Sequence, residues 1–164
     1  MPDVFLSLGS NIDPEIHIPA ALEDLRQTFG PLALSSLYET AAVGFEGPPF
    51  HNLAAAFVSE EEPAVIARRL REIEERHGRT RNSQKFSSRT LDVDLILYGD
   101  RIVEADGLRL PRDEITRYAF VLEPLSELAP QRRHPVLGQT YAALWAAFDK
   151  TGLAQKRLPV PELR

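Results

Sequence analysis

The chain has no cysteine, so disulfides and thiolate zinc sites are excluded and a reducing compartment is permitted. No apolar run approaches the ~20 residues that a membrane-spanning helix needs. Met1-Pro2-Asp3-Val4-Phe5-Leu6 lacks a basic flank and a long apolar stretch, which predicts no signal peptide. Excess basic charge is also missing. The net charge is −5 and the pI about 5.4, which argues against general binding to nucleic acid or to an anionic membrane. The pattern G-x-x-x-x-G-K-[ST] is absent, as are G-x-G-x-x-G and the protein-kinase signatures. Any phosphate chemistry therefore needs a different architecture. Internal repeats and low-complexity segments are absent too. His17, His51, His77 and His134 show no metal-ligand spacing and are expected at the surface or in capping positions.

What remains is ordinary: 164 residues, 43% hydrophobic and 26% charged. That length suits one domain, 1–164, able to bury a core without staples. A cytoplasmic protein is the expectation.

Val4 to Leu8 reads as a buried strand stopped by Gly9-Ser10-Asn11. Asp13-Pro14 reads as an N-cap followed by proline in the first turn. Ile18, Ala21, Leu22, Leu25 and Phe29 recur at helical spacing until Gly30-Pro31. Leu32 to Thr40 predicts a strand paired with Asn52 to Ser59, and the Gly- and Pro-rich Ala41–His51 predicts an irregular loop between them. A second helix is predicted from Pro63 to His77. Ile66, Leu70 and Ile73 face inward, Arg68, Arg69, Arg71, Glu72 and Glu75 face solvent, and Gly78 forms the cap. A basic loop, a strand from Leu91 to Tyr98 and a short hairpin within Arg101–Leu110 follow. A helix from Arg117 to Leu128, interrupted near Pro124, and a short helix from Thr140 to Phe148 come next. The segment after Lys150, with Pro159 and Pro161, is expected to be a loosely held tail, 151–164. The order strand, helix, strand, strand, helix, strand is the split βαβ pattern of an α+β, ferredoxin-like sandwich with a mainly antiparallel sheet and helices packed on it. Many functions use that fold.

The richest chemistry lies between Arg79 and Asp94. Arg79, Arg81, Lys85 and Arg89 sit within eleven residues, and Asp92 and Asp94 follow two residues apart. Alternate side chains on a strand share a face, so the two aspartates point the same way with Cα atoms about 7 Å apart, while Leu91, Val93 and Leu95 point inward. Two carboxylates at that spacing suit Mg²⁺, a hard ion that takes carboxylate, water and phosphate oxygens. Arginine offers phosphate a planar fork and lysine a mobile point charge. A wetted acidic strand face and a solvated basic loop are the bland readings of these two features; their adjacency favours a bound polyphosphate with its metal. In the Gly-Pro loop, Phe50 and Asn52 offer a stacking face and an amide for the edge of a flat heterocycle, although a core Phe and a turn Asn are the commoner roles.

Leu6-Ser7-Leu8-Gly9-Ser10-Asn11, Tyr38-Glu39-Thr40 with Gly44, Phe50-His51-Asn52, Gly78-Arg79-Thr80-Arg81, Arg89-Thr90-Leu91-Asp92-Val93-Asp94 and Phe120-Val121-Leu122-Glu123-Pro124-Leu125 stand in this order. Together they resemble the 6-hydroxymethyl-7,8-dihydropterin pyrophosphokinases of folate biosynthesis, from Leu6 to about Pro130. The resemblance implies transfer of the terminal pyrophosphoryl group of ATP to the pterin hydroxymethyl, with AMP as the other product. It implies that Asp92 and Asp94 hold Mg²⁺, as two ions, and are catalytic together with Arg79 and Arg89. It places Glu74, Arg81, Lys85, Phe86, Arg112 and Tyr118 at ATP. Thr40, Ala41, Val43, Phe50, Asn52 and Phe120 fall at the pterin, which Phe50 and Phe120 flank. The partners implied are ATP and the pterin alone, with no nucleic acid and no membrane, and a monomer or weak homodimer is expected.

The chain departs from the family pattern in places. Phe86-Ser87-Ser88-Arg89 stands where aromatic-Gly-Pro-Arg is usual, and Ala42 where proline is common. Arg112 replaces the histidine that usually follows the proline at Pro111. Tyr118 replaces an arginine two residues before Phe120. Arg112 keeps a cation and Tyr118 does not. These changes motivate a competing reading, a catalytically weak or inactive relative that serves as a pterin- or nucleotide-binding module. An RNA-binding ferredoxin-like domain is a further alternative, opposed by the acidic pI.

Overall fold

Apolar residues at Val4, Leu6 and Leu8, alternating with Phe5, Ser7 and Gly9, draw the first segment into the middle of a sheet. The structure is a computed structural model that describes residues 1–41, 46–78, 90–105 and 107–158. Its elements run β1 (Asp3–Ser10), α1 (Pro14–Phe29), β2 (Ala33–Leu34), β3 (Leu37–Thr40), β4 (Phe50–Val58), α2 (Pro63–Arg76) and β5 (Asp92–Tyr98). They continue with β6 (Val103–Ala105), β7 (Leu108–Leu110), α3 (Glu114–Arg117), α4 (Ala119–Leu128), α5 (Tyr141–Ala147) and β8 (Gln155–Leu158). The main sheet has the order β5-β1-β4-β3-β8, antiparallel throughout, with β2 also paired to β4. The architecture is the ferredoxin-like α+β sandwich that the element order predicts. β6 and β7 form the small separate hairpin.

Two apolar clusters cover the two faces. On the first face α1 and α2 press Ile18, Leu22, Leu25, Ile66, Leu70 and Ile73 onto Val4, Leu6, Leu8, Leu53, Ala55, Val93 and Leu95. On the second, Ile115, Val121, Leu122, Leu125 and Tyr141 from α3 to α5 meet Phe5, Ile96 and Leu97. Each fully buried large aliphatic contributes about 1.5–3 kcal/mol. The pairing of β1 with β5 slips between Phe5 and Leu6, which face Leu97 and Leu95. This bulge sends Ile96 and Leu97 to the second face and returns Tyr98 to the first. Because the irregularity comes after Asp94, both aspartates keep the phase opposite to Val93 and Leu95 and stand on the second face.

Several local expectations change. The tail beyond Lys150 is not loose over its described length: Gln155–Leu158 forms β8, hydrogen-bonded along β3 from Thr40 to Leu37. An unpaired edge of β3 gives this segment backbone partners that composition does not reveal. The strand expected from Leu32 to Thr40 is split into β2 and β3. Ser35 and Ser36 fall between them, Ser35 Oγ accepting from Ala54 N at 2.8 Å and Ser36 binding Glu127, so serine hydroxyls take over part of the backbone's work. Asp13 caps α1 with its carbonyl, which accepts from Ile16 N and His17 N; its backbone is left-handed and its side chain makes no cap bond. The break expected at Pro124 lies instead at Tyr118, whose extended backbone (φ −125, ψ 129) separates α3 from α4. His134 is buried, and its Nδ1 accepts from Val136 N and Leu137 N, both at 3.1 Å.

Candidate active site

The second face of the sheet carries a row of small and polar residues at one end. Register places Tyr38 opposite Asn52, Asn52 opposite Gly9, and Gly9 opposite Asp92. The adjacent row runs Ala54, Ser7, Asp94. Asn52 and Asp92 are thus separated by one intervening strand, about 10 Å across the sheet. Between them Gly9 has no side chain and Ser7 a short one, so the floor is low where its two ends are polar.

Asn52 is buried and donates through Nδ2 to Thr40 Oγ1 at 2.9 Å. Its Oδ1 lies 2.7 Å from where a Cβ on Gly9 would be, and the Phe50 ring 3.7 Å from the same point. Glycine at this position is therefore a spatial requirement of the Asn52 rotamer. Asn11 Nδ2 donates to Pro48 O at 3.0 Å and fastens the described part of the 46–49 loop to the end of β1. Ala41 is exposed and directly follows β3. Phe120, half-buried in the first turn of α4, joins the second apolar cluster and stacks on Tyr118 at 5.1 Å with the planes 23° apart. Thr40, Phe50, Asn52 and Phe120 therefore gather around one face of the sheet.

Asp92 and Asp94 are half-buried at the end of β5. Behind them, Glu74 of α2 is buried and its Oε2 accepts from Val93 N at 2.8 Å, tying α2 to β5. β5 is an edge strand. Beside it lies a cavity of about 470 Å³, lined by Arg68, Arg71 and Glu74 of α2, Asp94 of β5, Leu108 of the hairpin, and Arg112. Arg112 is fixed at both ends: its N donates to Ile96 O at 3.1 Å, and its guanidinium holds Glu114 at 2.7 Å. Burial works against its charge, yet the bond to Glu114 and the field of Asp94 outweigh burial and raise its pKa above the ordinary value.

On the opposite side of the cleft, Glu127 of α4 accepts from Tyr38 Oη at 2.5 Å and from Ser36 N and Oγ, both at 2.9 Å. Burial pushes its carboxyl up, and these donors outweigh burial and leave it below the ordinary carboxylate range. Burial first, then the bond to Glu127, pushes the Tyr38 phenol well above its ordinary range.

Of the residues singled out in the sequence, the structure describes Thr40, Ala41, Phe50, Asn52, Glu74, Asp92, Asp94, Arg112, Tyr118 and Phe120. Val43, Arg79, Arg81, Lys85, Phe86 and Arg89 lie outside the described residues. Tyr118 is placed on Phe120, at the N-cap of α4. Arg68 and Arg71, read from the sequence as solvated, are exposed and also line the cavity with Glu74. Their spacing of three residues up to Glu74 puts them on one helical stripe beside the apolar one, a signal that was available. Among the described residues no helix is long and apolar enough to cross a membrane, and no three His, Cys, Asp or Glu side chains form a ready metal cage.

Residues 5–130 match the 7,8-dihydro-6-hydroxymethylpterin-pyrophosphokinase (HPPK) family. The chain is 36% identical over 161 residues to a Pseudomonas aeruginosa protein named 2-amino-4-hydroxy-6-hydroxymethyldihydropteridine pyrophosphokinase, covering 95% of this chain and 96% of that one. A Porphyromonas gingivalis protein of the same name is 40% identical over 136 residues, covering 79% of this chain and 92% of its own. Among solved structures, a Plasmodium falciparum HPPK-DHPS mutant with pteroate superposes with a TM-score of 0.75 at 14% identity, over 97% of this chain and 47% of that chain. That likeness is one of fold, and this chain spans less than half of the larger one. By its sequence match and its relatives, the chain belongs to the 7,8-dihydro-6-hydroxymethylpterin-pyrophosphokinase family.

Proposed function

We propose that the chain transfers pyrophosphate from ATP to 6-hydroxymethyl-7,8-dihydropterin, giving AMP and the pterin diphosphate, as a single domain spanning 1–164. The observation that carries this reading is the shared face: Asp92 and Asp94 stand across Gly9 and Ser7 from Asn52, one strand away. A flat pterin lying on that low floor presents its edge to Asn52 and Thr40 and its hydroxymethyl toward the aspartates. Phe50 and Phe120 are the stacking walls, Ala41 follows Thr40 beside the ring edge, and the family resemblance adds Val43.

ATP is assigned to the cavity beside β5, whose size suits a nucleotide portion. Glu74, Arg68, Arg71 and Arg112 line it, and the family resemblance adds Arg79, Arg81, Lys85, Phe86, Arg89 and Tyr118. Two carboxylates on one strand face are hard oxygen donors of the kind that Mg²⁺ takes alongside phosphate oxygens and water, so Asp92 and Asp94 are the residues that would hold it. Bound there, the metal supplies charge neutralisation on the phosphates. The chain's own residues orient the two substrates. Glu74 fixes the height of β5 against α2, Arg112 brings positive charge beside Asp94, and Asn52 aligns the pterin edge. The pterin hydroxyl oxygen forms the new bond to the β-phosphorus as the bond to the α,β-bridging oxygen breaks; the hydroxyl proton passes to water and the negative charge leaves with AMP.

The test is the nucleotide product. Incubation with ATP, Mg²⁺ and the hydroxymethyl pterin should yield AMP stoichiometric with pterin diphosphate; ADP would mean simple phosphoryl transfer. A binding module is the second reading, favoured by Tyr118, which stacks on Phe120 where the family resemblance calls for arginine. Binding of both ligands without AMP would support it. The RNA-binding alternative loses ground because, among the described residues, helices pack on both faces of the sheet and restrict an extended stacking platform. The same reading takes the enzyme as cytoplasmic and as a monomer or weak homodimer.

A further inference from the structure

Gln155 stands on β8 directly opposite Thr40, beyond the 5–130 region that matches the family. Its Nε2 donates to Ala119 O at 3.1 Å and to Glu123 Oε1 at 2.7 Å. Two acceptors on one side fix the orientation of the amide, because only the NH₂ end can serve both. Its Oε1 is buried and has no hydrogen-bond partner among the described residues.

Two residues on, Arg157 repeats the contact one turn further along the helix. Its guanidinium lies 3.3 Å from Tyr38 Oη and 3.5 Å from Glu127. Ala119, Glu123 and Glu127 are spaced by four, so β8 lies along a single stripe of α4. Ala119 is the immediate neighbour of Phe120, and Thr40 holds Asn52. One side chain on β8, the strand hydrogen-bonded along the Thr40 strand, therefore ties that edge of the sheet to the helical turn that bears Phe120, the two sides of the cleft.

We propose that Gln155 is a positioning residue for the pterin: through Ala119 and Glu123 it sets the distance of Phe120 from Thr40 and Asn52, and so governs pterin affinity without touching the nucleotide. This rests on the assignment of that cleft to the pterin. Gln155→Glu keeps the shape, removes both donors and sets a carboxylate against Glu123. Adding Glu123→Gln restores a donor across the same gap from the α4 side.

The experiment measures KM for the pterin, KM for ATP and kcat in the parent chain and both variants, with thermal unfolding as the check of folding. Gln155→Glu should raise the pterin KM about 5- to 10-fold, with the ATP KM and kcat held within about two-fold. The paired variant should recover to within about three-fold of the parent. Should Gln155→Glu fail to fold, Gln155→Met removes the donors without adding charge and should move the pterin KM in the same direction. An unchanged pterin KM in a folded variant overturns the inference, as does an equal change in both KM values and kcat, which marks a merely structural role. A parent chain that makes no AMP is seen before any variant is made, and it overturns the functional assignment together with this inference.

Discussion

Asn52 Oδ1 occupies the space above Gly9 so closely that a Cβ there would sit 2.7 Å from it. The backbone of Gly9 lies within a regular strand paired on both sides, so the requirement is for space and not for an unusual φ. Gly9→Ala should displace the Asn52 amide, break its bond to Thr40 and raise the pterin KM about tenfold, since a polar group built to read a ligand edge loses its aim. Unfolding by heat should come a few degrees earlier, since a buried amide loses its partner. Steady-state kinetics with the pterin varied at saturating ATP is the check.

Arg112 is fastened by Ile96 O and Glu114 and sits in the field of Asp94. As a cation lining the cavity beside β5 it should act on ATP and not on the pterin. Arg112→Ala should raise the ATP KM about tenfold, the size expected for losing one charge-assisted contact, and leave the pterin KM within about two-fold. Nucleotide-binding calorimetry on the variant gives the comparison.

Glu127 links three segments through Tyr38, Ser36 and Arg157. Its folded pKa is depressed, so the stability it contributes is present above its unfolded value and is lost as pH falls through the folded value. Glu127→Gln should therefore unfold more easily than the parent near neutral pH, by about 1 kcal/mol. The gap should begin to narrow as pH falls below the ordinary carboxylate value, where the unfolded chain takes up its proton first, and should close only below the lower folded value. Urea midpoints of both proteins across pH 3 to 7, with pH chosen in about half-unit steps, test the sign.

The periodicity of Ile18 to Phe29, the stripe Ile66-Leu70-Ile73 and the alternation in β1 were enough to establish the sheet and its first layer of helices, because those patterns are local. The phase of Asp92 and Asp94 was also legible, since strand alternation fixes it against Val93 and Leu95. What escaped the sequence depends on partners far along the chain. β8 exists because β3 offers it an edge, Ser35 and Ser36 interrupt a strand because Ala54 and Glu127 wait for them, and the break in the second face falls at Tyr118 because its backbone is extended there. By residue type alone Asn52 was more ordinarily a turn residue than a ligand-reading amide. Only the contact with Gly9 and the bond to Thr40 show that its amide is held in place. Arg68 and Arg71 are exposed, as their place on the polar side of the helix implied; that they also border a pocket depends on the hairpin and Arg112, far along the chain.

The most direct test of the whole account is the rate of AMP formation by Asp94→Ala at saturating Mg²⁺. With Asp94 in the row Ala54-Ser7-Asp94 and beside the cavity, turnover should fall at least about 10²-fold, as when one preorganised electrostatic group is removed from other enzymes. AMP formation close to that of the parent would contradict the placement of the reaction on this face of the sheet.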